Sequence, residues 1–291
     1  FLRTLKTNKI MKMKDNENLI KFGQEIYSKH PALRPFLSFI KKNFFNKPKF
    51  SGWGMTSIHE PPWLNDDEGK NFLEINNYIK NNFAFNKKIQ GTTKDIMDDL
   101  LWRHWIVSYA VKHATKFAKT ENYNLVECGV EWGYTSFFAL KTLTNNDKKI
   151  NSFSMHLYDA WQDMREEELL ESEYWHVNLY KNLDIESTKK NLVEFKENLI
   201  FHQGYIPDSL TKKPDPPDTI FYLHIDLNSA KPTEHALEFF YPRLVVGGVI
   251  LFDDYGWDAY EDTKNTIENF FKDKPGILME IPTGQAIYFH N

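Results

Sequence analysis

The chain has 291 residues, 41% of them hydrophobic, enough for one large core with an elaborated end. Its net charge of -4, with lysines scattered among asparagines and acids, gives no basic field for nucleic acid. A single cysteine, Cys128, excludes an internal disulfide and a cysteine-based zinc site, and no window approaches the roughly eighteen apolar residues of a membrane span. A cytoplasmic protein with neither a nucleic-acid nor a membrane partner is expected. The aromatic share of 15% suits a cleft lined with rings, in which a sugar or an aromatic acceptor would sit. The opening is too polar and lysine-rich for a signal peptide, and it starts at Phe1, which suggests a domain of a longer multidomain chain.

Over residues 1–50, Leu19, Ile20, Phe22 and Ile26, then Leu33, Phe36, Leu37, Phe39 and Ile40, fall at helical spacing around Pro31 and Pro35. Two short helices are expected, serving packing or a homodimer. Residues 49–65, KFSGWGMTSIHEPPWLN, have no periodicity, and Trp53 and Trp63 argue for an ordered lid over the site, with His59 within it. From 66 to 120 the pattern is helical, with one long helix over 100–118 covering a face of the sheet and Thr92 and Thr93 as an N-cap region. Arg103 and His104 are expected on the polar edge of that helix, as solvated or capping groups. The domains read as a helical N-terminal extension with the lid, 1–90, followed by a catalytic domain, 91–291.

The α/β region opens with the short buried strand NLVECG, residues 124–129, followed by VEWGYTS and the helical SFFALKTL. Gly129 and Gly133 let the backbone turn sharply and let a ligand approach a helix N-terminus. The dinucleotide fingerprint needs a different glycine spacing, so a NAD site is disfavoured. A second strand, MHLYDAW, carries Asp159 at its end, placed either for the hydroxyls of a ribose or as an N-cap. The acidic, aromatic segment 162–184 reads as a helical insertion whose charge run, Arg165 to Glu168, is a solvated face. A third strand, Leu199 to Gln203, is followed by Gly204, Tyr205 and Asp208.

Residues 220–257 say most about function. Two apolar runs, IFYLHI and VVGGVILF, end at Asp226 and at Asp253 with Asp254, and a helical stretch joins them, which reads as one β-α-β crossover in a buried parallel sheet. Ligands of open α/β sheets bind outside the carboxyl ends of the strands, where these three aspartates fall. Carboxylates converging there need a cation between them, and their oxygens suit a hard divalent ion such as magnesium. After them come a helix over 264–271, a strand near 276–280, the turn IPTGQ and a final strand AIYFH. The fold class is therefore α/β: a Rossmann-like, seven-stranded, mostly parallel sheet with one antiparallel strand and helices on both faces.

The ordered set VECGVEWGYTS, YDAW, HQGYIPDSL, HIDLNSA and GGVILFDDYGW, spread over residues 90–290, resembles the class I S-adenosylmethionine-dependent methyltransferases. Within them it most resembles the macrocin O-methyltransferase family, whose members methylate sugar hydroxyls with magnesium. The resemblance implies that Glu127, Gly129, Gly133, Thr135 and Ser136 frame the methionine part of S-adenosylmethionine and that Asp159 holds the ribose. It places Gly204 and Tyr205 beside the adenine with Asp208 close by, and makes Asp226, Asp253 and Asp254 the Mg2+ ligands. The family reads Asp-Gly-Asp after the fourth strand, the second Asp being the general base, whereas this chain has Asp226, Leu227 and Asn228. An amide takes no proton at neutral pH, so Asn228 would orient the acceptor or ligate metal; Asp254, His224 and His59 are the candidate bases, the alternative being that metal coordination lowers the hydroxyl pKa enough for a solvent base to suffice. Strand alternation is expected to point His224 away from the direction of Asp226 or into the strand layer. The implied reaction is methylation of a hydroxyl on a nucleotide sugar, glycan or glycosylated metabolite. The alternatives are an aromatic diol acceptor and a cofactor-binding scaffold without catalysis.

Overall fold

The computed structural model describes residues 67–84, 97, 100–145, 150 and 152–291. Strands β1 (Tyr123–Cys128), β2 (Phe153–Asp159), β3 (Leu199–Gln203), β4 (Ile220–Ile225), β5 (Leu244–Phe252), β6 (Ile277–Glu280) and β7 (Ala286–Phe289) form one sheet. Their order is β3-β2-β1-β4-β5-β7-β6. The pairings from β3 across to β5 are parallel, and β7 runs antiparallel to both β5 and β6. Progress along the sheet reverses between β1 and β4, which opens a crevice at their carboxyl ends.

Both faces of the sheet are covered, so the strands read as nearly continuous apolar runs. On one face Leu125, Leu157, Val249 and Leu251 pack with helices α1 (Asp67–Asn82), α2 (Leu101–Phe117) and α3 (Tyr134–Thr144). Phe72, Ile75 and Ile79 of α1 are buried at the three- and four-residue spacing of one helical stripe. Helix α4 (Ile185–Asn191) begins at Asp184, whose carboxylate accepts from the Ser187 amide at 2.7 Å. On the other face Val126, Cys128, Leu223, Ile225, Ile250 and Phe252 pack with α5 (Ala230–Phe240) and α6 (Glu261–Phe271). The alternation of Leu251 with Ile250 and Phe252 between the two faces is the period of two that a strand imposes. None of the described helices is long and apolar enough to cross a membrane.

The strands expected from the sequence are present within a residue or two, and the pattern over 66–120 resolves into α1 and α2. The two N-terminal helices, the lid over 49–65 with its His59, and the cap at Thr92 and Thr93 lie outside the described residues. The segment 162–184 departs from expectation: instead of a helix it forms 3-10 turns at Glu166–Glu168 and Glu171–His176. Its Glu173 turns inward and accepts from the amides of Leu170 and Ala230, both at 2.8 Å, so a side chain takes a backbone donor that a helical turn would have used. Of the charge run, Glu166 and Glu167 are exposed as expected, but Arg165 is half-buried and lies 4.1 Å from the centroid of the Tyr205 ring.

Candidate active site

Backbone hydrogen bonds bring the ends of five strands, β1 to β5, to one edge of the sheet. The residue after β1 donates to β2 (Gly129 N to Tyr158 O, 2.8 Å) and the residue after β3 donates to β2 (Gly204 N to Asp159 O, 2.9 Å). Asp226 N donates to Cys128 O at 2.8 Å, and Asp253 N donates to Ile225 O at 3.0 Å. Gly129 has φ +85°, and a Cβ there would stand 1.7 Å from the Asp226 carbonyl oxygen, so only glycine fits. Gly133, at φ +81°, precedes α3 and leaves its first amides without a side-chain cap.

Glu127 is buried on the α2 face, where Ser136 Oγ donates to its Oε2 and His224 Nδ1 meets its Oε1 at 2.8 Å. Thr135 is buried beside Ser136 in the first turn of α3. Asp159 accepts from three amides, Val130 at 2.7 Å, Glu131 at 2.9 Å and Trp161 at 2.6 Å, and so fastens the glycine turn to the end of β2. Burial raises its pKa while these amides act to lower it. Tyr205 donates to the Asp163 carbonyl at 2.7 Å, and Arg165 above its ring reaches Asp208 at 3.0 Å.

Of the three aspartates, Asp226 and Asp253 meet on one cation, and it is an arginine; Asp254 is not in that group, its Oδ2 accepting from the Asn228 amide instead. Arg103 Nε donates to Asp253 Oδ1 at 2.6 Å, and its Nη2 reaches Asp226 Oδ2 at 2.7 Å and Asp253 Oδ2 at 2.5 Å. The expectation of a solvated Arg103 and His104 is therefore corrected. The Arg103 side chain is 13% exposed, and His104 is buried with its ring stacked on Phe138. The reason is the helix position: α2 lies over the face on which residues 224, 226, 251 and 253 project, and residues 103 and 104 sit in its first turn. His224 is likewise corrected. It shares its face with Asp226, and one donor atom from each of His224, Asp226 and Asp253 lies within 4.8 Å of the others.

The remaining carboxylate oxygens are held from the other side. Asn228, at φ +56°, donates its amide to Asp254 Oδ2 at 2.7 Å and its Nδ2 to Asp226 Oδ1 at 3.3 Å, while its Oδ1 accepts from Tyr260 Oη at 2.7 Å. Gln285 Nε2 donates to Asp253 Oδ1 at 3.0 Å. Burial and then the Asp253 charge lift Asp226 to about 7, and burial with both neighbours lifts Asp254 well above its ordinary value. Burial opposes the Arg103 charge, but Asp253, Tyr134 and Asp226 outweigh it and hold the guanidinium protonated. Burial and these carboxylates also push the Tyr180 and Tyr260 phenols upward. Arg103, Tyr180, Tyr260 and Gln285 were not singled out from sequence as site residues. Only Arg103 carried a signal, a cation in the first turn of a helix, where the helix dipole disfavours it.

A divalent ion does not fit this arrangement. The spacing of His224, Asp226 and Asp253 is short enough for one, yet five of the six aspartate oxygens already accept from protein donors, three of them from Arg103. Metal ligation at Asp226 and Asp253 would require the guanidinium to leave. The glycine turn does fit a bound cofactor, since the turn from Gly129 to Gly133 and the uncapped start of α3 stand at the crevice between β1 and β4.

Residues 126–255 match a family described as a methyltransferase domain. No curated protein sequence matches the chain. Among solved structures, the O-methyltransferase NovP is similar at 20% identity and a TM-score of 0.55, covering 66% of this chain and 80% of its own. CalS11, a calicheamicin methyltransferase, is similar at 13% identity and a TM-score of 0.51, covering 82% of this chain and 98% of its own. Both likenesses show a shared Rossmann-like methyltransferase fold.

Proposed function

We propose that this chain, which carries a methyltransferase domain over residues 126–255, methylates a hydroxyl group of a sugar-bearing acceptor with S-adenosylmethionine. The observation that carries the reading is the polar cluster of Asp226, Asp254, Asn228 and Tyr260 next to the glycine turn. A multiply hydroxylated acceptor needs such paired donors and acceptors at the carboxyl ends of β4 and β5. The fold shared with the O-methyltransferase NovP and the calicheamicin methyltransferase CalS11 supports the same assignment.

In this reading Gly129, Gly133 and Thr135 frame the methionine end of the cofactor, with Ser136 and Glu127 supporting the turn from behind. Asp159 faces the ribose, and Gly204, Tyr205 and Asp208 border the adenine. When bound, S-adenosylmethionine supplies a sulfonium methyl, whose carbon–sulfur bond breaks, its electron pair staying on sulfur, as the new carbon–oxygen bond forms. In its ionised form Asp254 takes the hydroxyl proton through Oδ1, which has no donor among the described residues; burial and the neighbouring aspartates, by raising its pKa, make that form less populated and more basic. Asn228, fixed by Tyr260, orients the acceptor instead of acting as the base. Alignment of oxygen and methyl supplies much of the rate. Magnesium, expected from the resemblance, has no role in this reading because Arg103 occupies its ligands.

Calorimetric titration of S-adenosylhomocysteine into the chain, with magnesium and again with excess EDTA, tests the cofactor. Binding in both conditions is expected, and absence of binding in both removes the reading. Nucleotide-linked sugars and catechols would then be screened as acceptors; methylation of catechols alone replaces the sugar assignment with the aromatic one.

A further inference from the structure

The carboxylates that the sequence offers to a metal are closed by the chain's own cation. Arg103 forms two parallel contacts to Asp253, Nε to Oδ1 at 2.6 Å and Nη2 to Oδ2 at 2.5 Å, the fork geometry in which a guanidinium binds a carboxylate best. The same Nη2 bridges to Asp226 Oδ2 at 2.7 Å, so one planar cation spans two strand ends. The three side chains are 13%, 17% and 8% exposed, so little water screens the contacts. A guanidinium does not give up its proton, and the cluster is never left without this positive charge.

Nothing else in α2 accounts for the arginine. Its neighbours in the first turn, Leu101, Trp102 and His104, are uncharged or weakly basic, and that turn holds no acid. The partial positive charge of the helix N-terminus opposes a cation there, so the two aspartates are what hold it. Nη1 has no acceptor among the described residues, which leaves one guanidinium nitrogen to donate to a ligand oxygen.

We propose that Arg103 stands in for the divalent ion, clamping Asp226 to Asp253 and offering Nη1 to the acceptor oxygen as negative charge develops on it, so that methyl transfer needs no metal. The catalytic part of this rests on the methyltransferase reading above; the clamp does not.

The test uses the full chain stripped with EDTA and titrated with MnCl2, following the free Mn2+ signal by electron paramagnetic resonance, for wild type, Arg103→Met and Arg103→Lys. Each protein is also titrated with S-adenosylhomocysteine. Wild type is expected to leave Mn2+ free. Arg103→Met, which bares both carboxylates, is expected to bind one ion per chain at least about tenfold more tightly than wild type, a difference of roughly 1.4 kcal/mol. Arg103→Lys keeps the charge but not the fork, and is expected to fall between them. One Mn2+ bound per wild-type chain and lost in Asp226→Asn would overturn the inference, as would an Arg103→Met protein that folds and binds Mn2+ no better than wild type. Should Arg103→Met not fold, the wild-type titration decides alone. Failure to bind S-adenosylhomocysteine would remove the methyltransferase reading and leave the Mn2+ result to judge the clamp by itself.

Discussion

Glu127 and His224 are register partners on β1 and β4, and their side chains meet at 2.8 Å, Nδ1 to Oε1, with both only 1% exposed. The other Glu127 oxygen accepts from Ser136, so a single carboxylate links two strands to α3 beneath the glycine turn. Burial works against a charged His224, while the hydrogen bond and charge of Glu127 raise its pKa above the ordinary value. Glu127→Gln keeps the shape but removes that charge. Losing a charge-assisted partner of this kind costs about 1–3 kcal/mol. A urea titration should show an earlier midpoint with an unchanged slope, and an unmoved midpoint would contradict the role given to this pair.

Gly129→Ala should be more damaging. The position has φ +85°, and the added methyl would stand 1.7 Å from the Asp226 carbonyl oxygen, closer than atoms approach. Left-handed backbone alone costs an alanine roughly 1–2 kcal/mol, and relieving the clash must move either the turn or Asp226. The expected result is little soluble folded protein, or folded protein without measurable S-adenosylhomocysteine affinity.

Asn228→Asp is expected to harm the protein, even though it would supply the second carboxylate of the Asp-Gly-Asp pattern that the sequence resembles. The native Nδ2 donates to Asp226 Oδ1 and the native Oδ1 accepts from Tyr260. An aspartate keeps the second bond but sets a carboxylate against Asp226 in a site already holding three. A loss of about 1–3 kcal/mol in unfolding free energy is expected, with weaker methyl transfer. Faster transfer to the same acceptor would return the base role to position 228.

A second buried pair predicts how stability depends on pH. His156 Nδ1 and His202 Nε2 lie 2.9 Å apart, and both rings are buried. Burial, and for His156 also the charge of its partner, lowers both pKa values to about 4. In the unfolded chain they titrate near 6.5. As pH falls the unfolded state takes up protons first, so this contribution is full above about pH 6.5 and is lost between about 6.5 and 4. Thermal midpoints should fall across that window, less steeply in His156→Asn with His202→Asn than in wild type. Parallel curves for the two proteins would refute the assignment.

The sheet was legible because both its faces are covered: runs such as IFYLHI and VVGGVILF have no other reading at their length, and strand ends are marked by the aspartates themselves. The acidic half of the site was legible for the same reason. The cation was not, because Arg103 lies more than a hundred residues away on a helix whose rotation over the sheet no spacing reveals. His224 was within reach of the sequence, since residues 224 and 226 share a face by strand alternation. The helical expectation for 162–184 failed because composition does not show that Glu173 turns inward to hold the start of α5.

The contact at Gly129 also bears on how movement passes between two loops. With no side chain at that residue, the turn after β1 rests directly on the peptide carbonyl of Asp226, and Asp226 N hangs in turn from Cys128 O. The two loops have no slack between them and must shift as one body. A displacement of the first loop is therefore passed through the backbone to the strand end that presents the Asp226 carboxylate.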